Sequence, residues 1–131
     1  MLQLLKLKTV YPSLIINSFV RRNTLYCEMF LKPSRESRRY HVRIVLHANY
    51  TPNVWMLEPT LERVNGKLPH HIYGFDDNGH PKLCVYHPSE WNGRMYLADS
   101  LVPWISTWLN AYEYWLLTGE WFYPAVHLNR K

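Results

Sequence analysis

Large aromatic side chains recur at helical spacing in residues 100–118. Trp104, Trp108 and Tyr112 are each four residues apart, and Trp115 follows three residues later. This spacing predicts an α-helix with all four rings on one side and with leucine and isoleucine side chains beside them. A helix with so wide an apolar surface has to be largely covered, so the rest of the chain must pack against it.

Polar, proline and glycine residues mark the ends of this helix. Asp99 and Ser100 are the candidate N-caps, Pro103 falls in the first turn, and Gly119 comes just after the last helical residue. The sequence therefore predicts a helix from about Ser100 to Thr118.

Three segments earlier in the chain show the alternation of β-strands. Every second side chain of residues 24–31 is apolar, which makes Cys27 a small core residue. Residues 40–47 alternate in the same way, and residues 53–58 form a third strand that Pro59 ends. Short links between them predict an antiparallel meander, preceded in residues 1–23 by a short helix, a turn and a lead-in segment. The expected fold class is α+β.

Size and composition fit one domain covering residues 1–131. The chain has 131 residues, of which 47% are hydrophobic, and this is enough to build a core. No apolar run approaches the roughly 20 residues that cross a bilayer, and lysines interrupt the apolar N-terminus, so neither a membrane span nor a signal peptide is expected. The net charge of +5 is scattered along the chain, which argues against nucleic-acid binding. We expect a cytoplasmic protein whose two cysteines, Cys27 and Cys84, are reduced.

Cys84 lies where a nucleophile would be expected. Residues 60–82 show little regular pattern apart from turns, including one at Asp77-Asn78-Gly79, and a long loop inside a small domain is often functional. Cys84 then falls in a short apolar strand, residues 82–86, that runs into an open loop reaching Gly93. A sulfur in this position can stand at the rim of a cleft while its backbone is anchored.

Three kinds of chemistry can be compared for this cysteine. His80, Cys84 and His87 show the spacing H-x3-C-x2-H, but structural zinc sites usually close four ligands around C-x2-C or H-x3-H pairs, so no metal is predicted. A cysteine hydrolase needs a histidine oriented on the sulfur, and the local sequence lacks the known protease motifs. An acyl carrier needs an accessible sulfur on a rigid strand, oxyanion donors and no efficient base for water. The loop fits this last set of requirements better.

A series of short motifs extends from this loop along the predicted helix. They are His71-x-Tyr73, Asp77-Asn78-Gly79, Leu83-Cys84-Val85-Tyr86, Glu90-Trp91, the run 95–104, Trp108-Leu109, Tyr112-Glu113, Trp115-Leu116, Thr118-Gly119 and Trp121. In combination they resemble the ubiquitin-conjugating (UBC-fold) family, closest to the bacterial branch of type II cyclic-oligonucleotide-based anti-phage signalling systems (CBASS). The resemblance covers about residues 40–121 and implies a UBC-like fold: a first helix, a meander, an irregular flap, the active cysteine and a long helix.

The resemblance also implies roles for individual residues. Cys84 would accept the C-terminus of a ubiquitin-like partner, or of a cGAS/DncV-like nucleotidyltransferase in the bacterial branch, as a thioester and transfer it to an amine. His71 matches the histidine of the eukaryotic His-Pro-Asn motif and would shape the flap, or else pack against it. Asp99 would orient or desolvate the amine, or else cap the helix. The candidate partner-binding residues are Tyr73, Asn78, Tyr86 and Trp91.

The chain departs from the family pattern in three ways. The asparagine of the His-Pro-Asn motif is absent, which leaves Asn78 or a backbone amide near Val85 as candidate oxyanion donors. Residues 120–127 lack the glycine-rich stretch of the relatives. An adenylating module has no room here, so a separate activating enzyme supplies the acyl group or the protein is a stand-alone subtype. No cofactor is implied. The alternative hypothesis is a catalytically inactive UBC-like interaction module whose aromatic helix docks a partner.

Overall fold

The computed structural model describes residues 2–48 and 51–121, in which two α-helices and an antiparallel sheet of six strands share one core. The elements are α1 (Leu2–Val10), β1 (Ile15–Arg21), β2 (Thr24–Leu31), β3 (Tyr40–His47), β4 (Asn53–Glu58), β5 (Ile72–Phe75), β6 (Pro81–Leu83), a 3-10 helix (Pro88–Glu90) and α2 (Leu101–Thr118). The order of strands across the sheet is β1-β2-β3-β4-β6-β5. The fold is α+β, as expected.

The predicted meander is confirmed in β2, β3 and β4. Cys27 of β2 pairs with Ile44 of β3, and Ile44 pairs in turn with Val54 of β4. All three side chains are buried, because every second residue of each strand points into the same core. Cys27 is completely buried, as the alternation predicted.

The short helix expected in residues 1–23 is confirmed as α1, but the chain after it forms a further strand that the sequence analysis missed. In β1 only Ile15 and Ser18 are half-buried and the rest is exposed, so the strand lacks the alternation that reveals a half-buried strand. Its pairing with β2 is supported by Phe19, whose ring stacks on Tyr26 with centroids 4.7 Å apart. The meander therefore has four strands.

Residues 60–82, expected to be irregular, contain a β-hairpin of β5 and β6. The predicted turn at residues 77–79 is confirmed: the Asp76 carboxylate accepts hydrogen bonds from the backbone N–H groups of Asn78 and His80, at 2.9 and 2.8 Å. Gly79 takes the left-handed φ of 82° that closes the turn. Strand β5 escaped notice because it is short and because its Tyr73 and Phe75 are exposed, whereas β6 overlaps the strand predicted for residues 82–86.

The aromatic helix is confirmed as α2. Trp108 and Tyr112 are fully buried, Trp115 is nearly so, and Trp104 is half-buried. The helix stops at Gly119, whose φ of 79° is left-handed and whose N–H donates to the Trp115 carbonyl at 2.7 Å. In the described ranges 2–48 and 51–121, no helix combines the length and apolarity needed to cross a membrane. Residues 122–127, part of the stretch that lacks the glycines of the relatives, lie outside these ranges.

The start of α2 differs in detail from the predicted caps. Ser100 occupies the N-cap position, but its hydroxyl makes no capping bond and instead donates to the Tyr96 carbonyl at 2.7 Å. Asp99, the other candidate N-cap, precedes the N-cap position, so its carboxylate does not cap the helix.

One carboxylate ties the middle of α2 to the start of β3. Glu113 accepts hydrogen bonds from the Tyr40 hydroxyl at 2.7 Å and from the Ser37 hydroxyl at 2.8 Å. Tyr40 is fully buried and Ser37 is buried, so Glu113 satisfies two donors that have lost contact with water. Burial, and then this bond, raise the pKa of Tyr40 well above its usual value.

We predict that Glu113→Gln lowers the free energy of unfolding by about 2 kcal/mol, because one accepting oxygen becomes an amide group that cannot accept and a buried hydroxyl loses its partner. Urea denaturation measures this change. Glu120→Gln, at an exposed glutamate beyond the helix, is the matched control and should change stability by less than about 0.5 kcal/mol. Equal stabilities for Glu113→Gln and the unmodified protein would contradict the assigned role.

Candidate active site

Cys84 directly follows the last residue of β6. Its backbone N–H donates to the His71 carbonyl at 2.9 Å, which extends the β5–β6 pairing by one bond. The regular ladder goes no further, because His71 has a left-handed φ of 61°. The strand predicted for residues 82–86 therefore ends at Leu83. Leu83 and Val85 on either side are buried, whereas Cys84 remains half-buried.

His71 contributes to the site through its backbone. The same carbonyl oxygen that accepts from Cys84 also accepts from the indole Nε1 of Trp108 at 3.0 Å. The His71 ring lies 5.6 Å from the ring of Trp121, between centroids. The flap-shaping role that the family resemblance implies for His71, and a role in chemistry, stay predictions.

Tyr73 lies beside the sulfur. Partial burial, and then the interaction with the neighbouring Cys84 side chain, raise the pKa of Tyr73 above its usual value. The phenol therefore keeps its proton at neutral pH. A protonated tyrosine on the exposed side of β5 thus lies near the candidate nucleophile.

Two residues that the sequence analysis did not single out hold this tyrosine in place. The Lys82 ammonium lies 5.3 Å from the ring centroid of Tyr73 and 5.8 Å from that of Trp55. A cation between two aromatic rings fixes their relative positions. The signal was present in the sequence, since Lys82 and Cys84 are two residues apart and side chains at that spacing share a side of a strand.

Tyr86 anchors the loop that follows Cys84. It is 8% exposed, its hydroxyl donates to the Pro52 carbonyl at 2.6 Å, and its ring stacks on Trp104 with centroids 5.5 Å apart. Burial is the main cause that raises the pKa of this phenol. The loop is thereby attached to Pro52, just before β4, and to α2, while contact between Tyr86 and a partner stays a prediction.

The remaining predicted site residues lie elsewhere. Asn78 is exposed in the hairpin turn, at the opposite end of the hairpin from the pairing of His71 with Cys84, and this position argues against a role as oxyanion donor. Trp91 lines a cavity of about 750 Å³ together with residues of α1 and of the β1–β2 and β3–β4 turns. Asp99 is exposed, and its carboxylate lies 3.7 Å from the Lys6 ammonium of α1. The roles of these three in partner or amine binding stay predictions.

The histidines around Cys84 have other partners. The Nδ1 atom of His80 lies 3.0 Å from the Asp76 carboxylate, and that of His87 lies 2.8 Å from the Ser89 hydroxyl. His87 also accepts from the backbone N–H of Ser89 and so caps the 3-10 helix. Over the residues that the structure describes, no three His, Cys, Asp or Glu side chains are grouped so that they could hold a metal ion.

Comparison with protein families decides the identity of the chain. The family of type II CBASS E2 proteins matches residues 3–128. The chain belongs to this family. Membership gives it an E2-like role in type II CBASS anti-phage defence, in a system that includes a cGAS-like nucleotidyltransferase. A comparison with curated proteins gives no match.

The two cysteines of this CBASS E2 protein should differ strongly in reactivity. Cys27 is completely buried, and burial, followed by the neighbouring Glu28 carboxylate, raises the pKa of its thiol to about 11 against the opposing charge of Lys8. The thiolate is the reactive form, so Cys27 is both inaccessible and protonated below that pH. Cys84 is half-buried at the end of a strand.

We predict that iodoacetamide at pH 8 modifies Cys84 in the native protein and modifies Cys27 only after unfolding in urea. Peptide mass spectrometry assigns the site. Labelling of Cys27 at a comparable rate in the folded protein would contradict this reading of the two environments.

Proposed function

We propose that this protein is a UBC-like acyl carrier that forms a thioester at Cys84 and transfers the acyl group to an amine. The observation that carries the proposal is the contrast between the cysteines: Cys27 is sealed in the core, whereas Cys84 is half-buried and has its backbone fixed by a hydrogen bond. A covalent carrier needs such an anchored and reachable sulfur. Membership of an E2 family supplies the reaction class.

The order of elements supports a UBC-like fold for this single domain. An N-terminal helix precedes a four-stranded meander, an irregular segment with a hairpin follows, and the cysteine comes before the long helix α2. This is the arrangement that the family resemblance implied, with the hairpin as the flap.

The proposed donor is the C-terminal tail of a cGAS/DncV-like nucleotidyltransferase. A separate activating enzyme provides the tail as an acyl adenylate or thioester, and the Cys84 thiolate attacks its carbonyl carbon and expels the adenylate or thiolate. An acceptor amine then attacks the carbonyl of the Cys84 thioester. The carbon–nitrogen bond forms, the carbon–sulfur bond breaks, the sulfur leaves as a thiolate, and the proton from nitrogen passes to the sulfur or to water.

The surrounding residues have supporting roles in this proposal. The His71 carbonyl accepts hydrogen bonds from the Cys84 backbone and from the Trp108 indole, and so links the backbone of the cysteine to α2. Tyr73, Trp91 and the rim of Tyr86 contact the donor tail, and Asp99 orients the amine. The His80 and His87 rings have partners away from the sulfur, and in this proposal they do not activate water for attack on the thioester.

We predict that cells carrying the complete defence system lose the nucleotidyltransferase adduct when the chain carries Cys84→Ala. With Cys84→Ser the tail should accumulate as an oxyester, because an alkoxide leaves less readily than a thiolate. Non-reducing electrophoresis followed by mass spectrometry detects both species, and hydroxide treatment cleaves the ester.

Cys27→Ala is the matched control, since it removes the other thiol from the core and should leave the adduct intact. Undiminished conjugation in Cys84→Ala cells would refute the carrier role. If the unmodified protein and its variants bind the nucleotidyltransferase in these cells but none of them forms an adduct, the protein is an interaction module instead.

A further inference from the structure

We propose that the Lys82 ammonium is an anion-binding subsite beside Cys84, which selects a donor tail that carries an acidic side chain two residues before its terminal carbonyl. This inference rests on the proposed carrier function and names the chemistry of its substrate. The occupant is the C-terminal tail of the nucleotidyltransferase. Its last carbonyl is the one that Cys84 attacks, so the residues before it must cross the surface next to the sulfur.

The first support is the position of Lys82 relative to Cys84. Lys82 is the middle residue of β6, between Pro81 and Leu83, which are both buried. Because successive side chains of a strand point to opposite faces, Lys82 stands on the outer face of the sheet, away from the core. The pairing with β5 continues as far as the N–H of Cys84, which donates to the His71 carbonyl at 2.9 Å. The cysteine, two positions after Lys82, therefore lies on the same face.

The second support is the way in which the lysine is held. Lys82 pairs with Trp55 of β4 on one side and with Gly74 of β5 on the other. Its ammonium lies 5.8 Å from the Trp55 ring centroid and 5.3 Å from that of Tyr73, and the residue is half-buried. Two rings that attract the same cation restrict where it can lie. The charge is thus placed by packing, unlike that of a freely moving surface lysine.

The third support is that no acidic group of the chain neutralises this charge. Arg43, which faces Trp55 from β3, is paired already: its Nε lies 3.1 Å from the Glu28 carboxylate, which also contacts His41 at 2.9 Å. Within residues 2–48 and 51–121, no carboxylate forms an ion pair with Lys82. A half-buried ammonium has lost part of its hydration, so a carboxylate brought to it gains a charge-assisted hydrogen bond.

The spacing of an extended peptide identifies which residue of the tail meets the lysine. Such a peptide advances by about 3.3 Å per residue, and its side chains alternate in direction. The side chain two residues before the terminal carbonyl therefore lies roughly 7 Å from it and points the same way. Lys82 and Cys84 are also two residues apart along a strand, so that side chain reaches the ammonium when the carbonyl is at the sulfur. Trp55 and Tyr73 partly shield this ion pair from water, which strengthens it.

The test uses the folded full-length chain and synthetic peptides. The probes are acetylated thiophenyl thioesters of the hexapeptide Ala-Ala-Ala-Xaa-Ala-Gly, with Glu, Gln or Arg at the variable position. The Cys84 thiolate attacks the glycine carbonyl, the new carbon–sulfur bond forms and thiophenolate leaves. Intact-mass spectrometry follows the loading rate for the unmodified protein, Lys82→Met, Lys82→Arg and Lys67→Met. Lys67, an exposed lysine in the turn that begins at Val64, is the matched control.

The unmodified protein should load the Glu peptide about tenfold faster than the Gln peptide, as expected for one hydrogen bond between charged groups, and the Arg peptide slowest of all. Raising the salt concentration from about 0.05 M to about 1 M should reduce this preference. Lys82→Met should abolish it, whereas Lys82→Arg should retain it, because a guanidinium carries the same charge and stacks on aromatic rings. Lys67→Met should behave as the unmodified protein does. Thermal denaturation checks that each variant is folded.

Equal loading of the Glu and Gln peptides by the unmodified protein, or a preference that persists in Lys82→Met, would overturn the proposal. Recovery of the peptide as an amide on Lys82 would also overturn it, since the lysine would then be an acceptor amine. Failure of the carrier function gives a different result, in which no peptide forms a thioester at Cys84. Loading without a preference removes only the acidic subsite.

Discussion

A single carbonyl oxygen, that of His71, joins the three parts of the molecule on which the site depends. It accepts one hydrogen bond from the backbone of Cys84 and another from the indole of Trp108. The hairpin, the cysteine and the aromatic helix α2 are thereby fixed to one point. Because Trp108 is completely buried, its N–H needs an acceptor, and an unpaired donor there would cost free energy. The buried Trp108 thus helps to fix the position of the His71 carbonyl, to which the backbone of Cys84 is bonded.

The left-handed backbone of His71 has a second effect. With a φ of 61°, it ends the pairing of β5 with β6 just where Cys84 begins the loop. If the pairing had continued, Cys84 would lie within a regular strand, and the side chains after it would alternate between the two faces of the sheet. The chain instead leaves the sheet with the sulfur half-buried beside Tyr73, while Tyr86 two residues later returns to the interior and bonds to Pro52.

The sequence was sufficient to predict the elements that have one buried side along their whole length. Strands β2 to β4 have one buried face, and α2 has a buried arc ended by Gly119, so their periodicity revealed them. Strand β1 is exposed along most of its length, and β5 is short and displays Tyr73 and Phe75, so neither carries a pattern. Their existence depends on hydrogen bonds to neighbouring strands, which no local signal encodes.

The candidate site was predictable to a similar extent. Cys84 could be distinguished from Cys27 because Cys84 falls in a short strand that runs into a loop, whereas Cys27 lies on the apolar side of an alternating strand. The position of Tyr73 near Cys84 could not be predicted, because it depends on a register shift in a strand that was itself unrecognised. The position of Lys82 between Trp55 and Tyr73 requires the pairing of β4 with β6, which joins residues 27 positions apart in the chain.

The central claim is that the acyl group is carried on the Cys84 sulfur. The direct measurement is peptide mapping of the unmodified chain, recovered from cells with its complete defence system at acidic pH and without reducing agent. The account predicts a branched peptide in which the C-terminal residues of the nucleotidyltransferase are attached to Cys84 and are released by dithiothreitol. An attachment at Cys27 or at a lysine, or one that resists dithiothreitol, would contradict it.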